Sequence, residues 1–107
     1  MPENPVNEEL WQRVRLIPCG RCASYGAIGR NLSSPISGFL VGRRMRHIPD
    51  HLHIPWWRVV AKSGALPVSK LDPHLGKEQR DRLLAEGVPF LSEWVVDMAA
   101  CEWDPRD

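Results

Sequence analysis

The sequence predicts a mainly α-helical domain with a small β wing, arranged as a winged helix-turn-helix. Three observations carry this. Short helical segments with cap signals fill the first half of the chain, two of them around residues 24–32 and 35–46 are parted only by a tight turn, and a Val-Val strand entering Ser63-Gly64 follows. The 107 residues suit a single domain over positions 1–107, because a core of that size can hold one fold without disulfides or metal. With 43% hydrophobic and 25% charged residues the composition is that of an ordinary soluble globule. No apolar run approaches the roughly 18 residues that cross a bilayer, so no membrane segment is expected.

In chain order, Asn7 is placed to cap a first helix in which Leu10, Val14 and Ile17 recur at helical spacing, until Pro18 and Gly20 end it. Ser24 caps a short second helix through Ala27 and Ile28 to Leu32, and Ser33 centres the turn after it. Ser34 followed by Pro35 starts a third helix reaching Arg46, with Ile36, Leu40 and Val41 available for the core. In a helix-turn-helix the second of the paired helices enters a DNA groove, so this third helix is the recognition candidate. Gly38 and Gly42 inside it each cost about 1 kcal/mol relative to alanine. Their spacing therefore marks a face that something approaches closely, either a ligand or a neighbouring helix.

Further on, Val59-Val60 running into Ser63-Gly64 reads as a strand and turn of a hairpin wing. Lys77 to Glu86 reads as an amphipathic helix with Leu83 and Leu84 inward and Gly87 as its C-terminal cap. Phe90 to Met98 alternates well enough for one or two terminal strands, with a short helix as the alternative.

The formal net charge is only +1, but Arg43, Arg44 and Arg46 cluster with His47 while Glu3, Glu8 and Glu9 lie elsewhere. Phosphate binding needs a local basic patch rather than a basic protein, so the cluster is read as a phosphate contact, against the plainer reading of a solvated helix face. Cys19, Cys22 and Cys101 are odd in number and form no disulfide framework, which fits a reducing compartment. Met1 to Glu9 is polar and acidic, unlike a secretory signal, so a cytoplasmic or nucleoid-associated protein is expected. Cys19-Gly-Arg-Cys22 has the spacing of a zinc knuckle or redox pair. His47, His51 and His53 do not supply the further ligands at a usual spacing, and no βαβ pattern surrounds the pair. No metal and no cofactor are expected.

Four stretches carry a family resemblance: Pro18-x-Gly20-x-x-x-Ser24-Tyr25-Gly26-x-Ile28, then Val41-Gly42, then Ile54-Pro55-Trp56-Trp57-Arg58-Val59-Val60-x-x-Ser63-Gly64, then Leu83-Leu84-x-Glu86-Gly87. In order and spacing they resemble the DNA-binding domain of the O6-alkylguanine-DNA alkyltransferases across residues 10–88. The segment from Ile54 matches that family's Ile-Pro-Cys-His-Arg-Val motif except at the two positions that do the chemistry, where Trp56 replaces the cysteine and Trp57 the histidine. Dealkylation needs an anionic nucleophile and a base to generate it, and an indole is neither. Tryptophan after this proline resembles the alkyltransferase-like proteins, which bind the lesion without repairing it, although their usual motif keeps the histidine.

The resemblance implies non-enzymatic recognition of O6-alkylguanine in double-stranded DNA, by minor-groove binding and base flipping, with the lesion marked for nucleotide excision repair proteins. It implies a lesion pocket of Trp56, Tyr25, Trp57 and Arg58, with Lys70 or Ser69 near the place of an arginine that senses the modified base. It assigns DNA contact to the third helix through Ser34, Gly38, Gly42, Arg43, Arg44 and Arg46, and puts Phe39 where the family inserts an arginine into the duplex. The bland readings are a core tryptophan at Trp56, a hydroxyl cap at Tyr25 and a buried phenylalanine at Phe39. Two other functions remain open, a winged-helix transcription regulator and an active alkyltransferase using Cys19, Cys22 or Cys101, none of which lies in the pocket motif.

Overall fold

In a computed structural model, which describes residues 5–106, the first helix, α1 (Pro5–Arg15), buries Leu10, Trp11 and Val14 at the predicted spacing, with Ile17 just beyond it. Asn7 does not cap this helix, which is already under way at Pro5. Its Oδ1 instead accepts from Arg44 Nη1 at 2.9 Å and so braces α1 against the third helix. Glu3, at the start of the acidic N-terminal stretch, lies outside the described residues.

A two-residue strand, β1 (Ala23–Ser24), leads straight into α2 (Tyr25–Arg30), where Ser24 caps as expected by accepting from the Ala27 N–H at 3.1 Å. The next helix, α3 (Gly38–Met45), starts later than Ser34-Pro35 suggests. The Ile36 N–H is tied to the Gly29 carbonyl at 3.2 Å, which holds residues 34–36 out of helix, and Ser37 is the cap, accepting from Leu40 N–H at 3.2 Å. A connection of residues 31–37 thus replaces the tighter turn centred on Ser33, and α2 and α3 keep the helix-turn-helix pairing.

Beyond a 3-10 turn over Trp56–Arg58, β2 (Val59–Val60) pairs in parallel with β1, Ala23 opposite Val59 and Ser24 opposite Val60. The expected turn does form, with Gly64 at φ +91°, but the strand before it is used against β1 rather than in a hairpin of its own. The hairpin is the antiparallel pair β3 (Phe90–Ser92) and β4 (Val95–Val96), with a bridge from Ala65 to Val95. Between lie α4 (Val68–Leu71) and α5 (Pro73–Ala85); a last turn of helix, α6 (Met98–Cys101), follows β4. Asp72 caps α5 by accepting from the N–H groups of His74 and Leu75, so this helix begins well before Lys77. Leu83 is fully buried whereas Leu84 is 44% exposed, because only one of two adjacent helical positions can face the core. Gly87 takes φ +82° after the helix, the conformation its cap role requires.

The architecture is therefore mostly helical with small sheets, and its interior falls into two clusters. Leu10, Val14, Ile28, Val41 and Val59 form one with Ile54; Cys22, Val60, Leu66, Leu83 and Val96 form the other. Successive residues of a strand point to opposite faces, so Val59 and Val60 send one side chain into each.

One carboxylate ties these parts together. Glu86 accepts from the Gly20 N–H at 2.9 Å, from Trp57 Nε1 at 2.8 Å and from the Arg58 guanidinium, whose ion pair measures 2.8 Å. The same guanidinium donates to the Ile17 carbonyl at 2.9 Å. Burial disfavours the Glu86 anion, but the hydrogen bonds from Arg58, Gly20 and Trp57 outweigh that and hold the carboxyl below its ordinary value.

Packing between α2 and α3 depends on missing side chains. A Cβ at Gly38 would come 2.9 Å from the Gly26 nitrogen, and one at Gly29 would come 2.2 Å from the Ile36 carbonyl oxygen, backbone in both cases. At Gly42 it would meet only the Tyr25 ring at 3.9 Å, an ordinary contact. Gly38 is thus explained by helix packing, while Gly42 keeps a shallow place over Tyr25.

These contacts make two expectations. Gly38→Ala forces α2 and α3 apart and should cost about 1–3 kcal/mol, the range for overpacking, whereas Gly42→Ala should be neutral or stabilise by up to about 1 kcal/mol through helix propensity; thermal unfolding of both variants reads the contrast. Glu86→Gln removes one partner of a largely buried ion pair and should cost about 3 kcal/mol. Because the folded carboxyl titrates below its unfolded value, its stabilisation is fully present above about pH 4.5 and fades as the pH falls through the folded value. Acid unfolding curves should therefore differ between wild type and Glu86→Gln near neutrality and converge in acid.

Candidate nucleic-acid interface

The cavity of interest, about 690 Å³, opens between α3 with the segment at 48–57 on one side and α4 with α5 on the other. Its position follows from local structure. Pro55 cannot continue a strand ladder, so the chain turns through Trp56–Arg58 before β2 and presents consecutive indoles at the cavity wall. The two rings stand edge to face, centroids 6.0 Å apart at 85°. Trp57 is clamped from several directions: its Nε1 holds Glu86, the Arg82 guanidinium lies 4.4 Å from its ring centre and that of Arg58 5.6 Å, both within cation–π range. Trp56 is half-buried, its ring against that of Trp57.

On the α3 side, Tyr25, Gly38, Gly42 and Phe39 line the cavity, joined by Arg43 and Arg46. Burial pushes the Tyr25 phenol up, only partly offset by Arg46, so the group stays a neutral hydroxyl that can donate. Phe39 is 73% exposed, which removes the buried-phenylalanine alternative.

Four residues expected in the site lie off the cavity. Arg58 is spent on Glu86 and Ile17, so it positions the wall from behind instead of lining it. Arg44 points back to Asn7 of α1. Lys70 is exposed on α4, whose Val68 and Leu71 do line the cavity. Ser34 is exposed in the loop before α3.

The motifs in the sequence point to the α4–α5 wall through Lys70 or Ser69 of α4 and assign no residue of α5 to it. Leu71, Leu75, Glu78, Gln79 and Arg82 contribute to it. The signal was available in Asp72-Pro73, a cap followed by a first-turn proline, which would have started the helix early enough to place Leu75, Gln79 and Arg82 on one face.

Cys19 is exposed, while Cys22 and Cys101 are buried beside one another, and none of the three lines the cavity. Burial, foremost, and the neighbouring Cys101 raise the Cys22 thiol far above its ordinary value. Among the described residues no group of three His, Cys, Asp or Glu side chains is arranged to hold a metal ion, and no helix is long and apolar enough to cross a membrane.

Comparison with known proteins agrees with this fold. Residues 5–88 match the family described as 6-O-methylguanine DNA methyltransferase, DNA binding domain. Alkyltransferase-like protein 1 of Schizosaccharomyces pombe is 33% identical over 102 residues, spanning 91% of this chain and 93% of its own length. The DNA base-flipping protein of Escherichia coli is 32% identical over 102 residues, 95% of this chain and 77% of that one. The crystal structure of the S. pombe alkyltransferase-like protein in complex with damaged DNA containing O6-carboxymethylguanine superposes with a TM-score of 0.83 at 28% identity, covering 96% of this chain and 98% of that one. By the extent of these matches, the chain belongs to the 6-O-methylguanine DNA methyltransferase DNA-binding domain family.

Proposed function

We propose that this protein recognises O6-alkylated guanine in double-stranded DNA without removing the alkyl group, by extruding the base into the cavity beside Trp56. The observation that carries the reading is the pair of indoles at the cavity wall where the family's motif has cysteine and histidine, with no thiol among the lining residues. A damaged base cannot be inspected inside the stack, so a reader needs a pocket for the base and something to fill the gap it leaves. Trp56 offers a π-face for the base or its alkyl group, Tyr25 a hydroxyl for the flipped nucleotide, and Phe39 an exposed ring for the vacated stack. Arg43 and Arg46 supply cationic contacts to phosphates at the minor groove, with Arg44, Ser34 and Lys70 as outer contributors. The relatives named for base flipping and the complex with alkylated DNA support this reading. The protein–lesion complex would then mark the site for nucleotide excision repair, within the compartment that holds the chromosome.

The alternatives make different use of the same surface. A transcription regulator would read base edges in the major groove and bind a defined sequence whether or not it carries a lesion. An active transferase needs a reachable thiolate at the pocket, which none of the cysteines provides in this arrangement.

The deciding measurement compares one duplex bearing guanine with the same duplex bearing O6-methylguanine, at a fixed salt concentration because phosphate contacts make affinity salt-dependent. Tighter binding to the lesion, with no gain of one methyl group in the protein's mass, is expected; stoichiometric methylation would overturn the reading. Trp56→Ala should lower lesion affinity roughly tenfold, in the range that stacking on an aromatic contributes, while binding to undamaged DNA falls less.

Phe39 and the arginines should separate the flipping energy from the electrostatic energy. Arg43→Ala or Arg46→Ala should weaken both DNAs alike and reduce the salt slope by about one unit per lost phosphate contact. Phe39→Ala should lower lesion affinity and the signal of a fluorescent base analogue at the target, leaving the salt slope unchanged. Its melting temperature should also hardly move, since the ring is 73% exposed; a large drop would show that the ring supports the fold.

A further inference from the structure

Of the four histidines in the chain, His53 is the one that lines the cavity. It follows a 3-10 turn over Asp50–Leu52, and its N–H closes that turn on the Asp50 carbonyl at 3.3 Å. Its backbone is left-handed, with φ 51° and ψ 47°, and among the described residues it is the non-glycine residue with a positive φ. At the end of a helical turn this conformation ordinarily goes to glycine, because a Cβ crowds the following carbonyl oxygen. Backbone strain of this kind collects where the side chain has a use. The His53 side chain is exposed, and among the described residues no hydrogen bond or ion pair occupies it.

The charged groups around it say what that use is. On its own flank of the cavity stand Arg43 and Arg46 of α3, and Arg15 of α1 donates to the carbonyl of the preceding residue, Leu52, at 3.1 Å. Asp50, in the same turn, is the acid on this flank. Across the cavity Glu78 of α5 is already paired with Arg82 at 3.0 Å, and Tyr25 of α2 is a neutral phenol. In the free protein the arginines oppose a further positive charge and Asp50 favours it. A phosphate arriving among them adds negative charge, and an imidazolium meets it with N–H donors on both ring nitrogens where a neutral imidazole has one. Histidine is the side chain whose ordinary titration falls between pH 5 and 8, so this charge can be acquired on binding.

We propose that His53 contacts a backbone phosphate at the cavity mouth as an imidazolium, so that engagement of the DNA is coupled to uptake of a proton at this residue. The inference rests on the base-extrusion reading above, which brings the phosphates flanking the target to that mouth. The bound state holds the proton more tightly than the free one, so affinity is greatest in mild acid and falls as the pH rises. Arg43 and Arg46 carry a fixed charge, and His53 adds to them a contact that pH controls.

The test measures affinity for the duplex bearing O6-methylguanine at pH 6 and pH 8, over a series of salt concentrations matched between the two, for wild type, His53→Asn, His53→Lys and His51→Asn. Asparagine tolerates the left-handed backbone and stays neutral, whereas lysine is charged at both pH values. Wild type should bind about fivefold more tightly at pH 6, the upper range for an exposed ion pair, with a salt slope steeper by up to about one unit than at pH 8. His53→Asn should bind alike at both with the shallower slope, and His53→Lys alike at both with the steeper one. His51→Asn, altered beside the cavity lining and not in it, should keep the wild-type difference. A wild type indifferent to pH overturns the proposal, and so does a difference that His53→Asn retains or His51→Asn abolishes, because another group would then take the proton. Either result leaves lesion recognition standing if O6-methylguanine still outbinds guanine at both pH values. Loss of that preference in wild type overturns the base-extrusion reading itself, and the placement of His53 at the phosphate with it.

Discussion

The carboxylate of Glu86 accepts from the Gly20 N–H, the Trp57 indole and the Arg58 guanidinium, while that guanidinium also reaches the Ile17 carbonyl, so segments remote in sequence are pinned to the end of α5. This junction fixes the orientation of the 3-10 turn at Trp56–Arg58, together with the turn's two-residue strand continuation, the Gln79 amide and the Arg82 guanidinium over the Trp57 ring. A charge-assisted, multidentate contact gives direction as well as energy. The direction is what the cavity needs, because the wall tryptophans project from a turn rather than from a long, regular element. The Trp57 indole N–H gives Glu86 a donor that cannot be titrated away.

The opposite wall is made by different physics. There α3 is held against α2 by direct backbone approach at Gly29 and Gly38, and by the Arg44–Asn7 contact with α1. Apolar packing on this side belongs to one interior cluster, and packing beneath α5 to the other, with β1 and β2 as the shared seam. The cavity sits where elements of both clusters face one another, which is why no single stretch of sequence describes it.

The helix-turn-helix, the cap at Ser24, the glycine after α5 and the terminal strand pair could be read from local signals, since each depends on residues close in sequence. The start of α3 could not, because the Ile36–Gly29 contact that displaces it to Ser37 is tertiary. The parallel pairing of Val59-Val60 with Ala23-Ser24 was equally hidden, for two residues of strand carry no periodicity that names a partner. Motif spacing singles out Trp56, Trp57 and Tyr25, which the fold brings together at one cavity with residues of α3. It misplaced Arg58, whose charge looks available in sequence and is neutralised by Glu86 in space. Gln79 stood out in no pattern at all, since a glutamine between charged helix residues reads as surface until the packing of α5 is known.

Phe39 has a thermal consequence. On the proposed base-flipping reading, this ring, which stands in water in the unbound protein, would enter a base stack on binding and carry apolar surface out of solvent, and that transfer would lower the heat capacity of the complex. An arginine doing the same task would contribute a charge whose attraction to the duplex is weakened by salt. With phenylalanine in that role, the enthalpy of engagement would itself change with temperature, so affinity would follow a curve on warming where a purely electrostatic wedge would be governed by ionic strength.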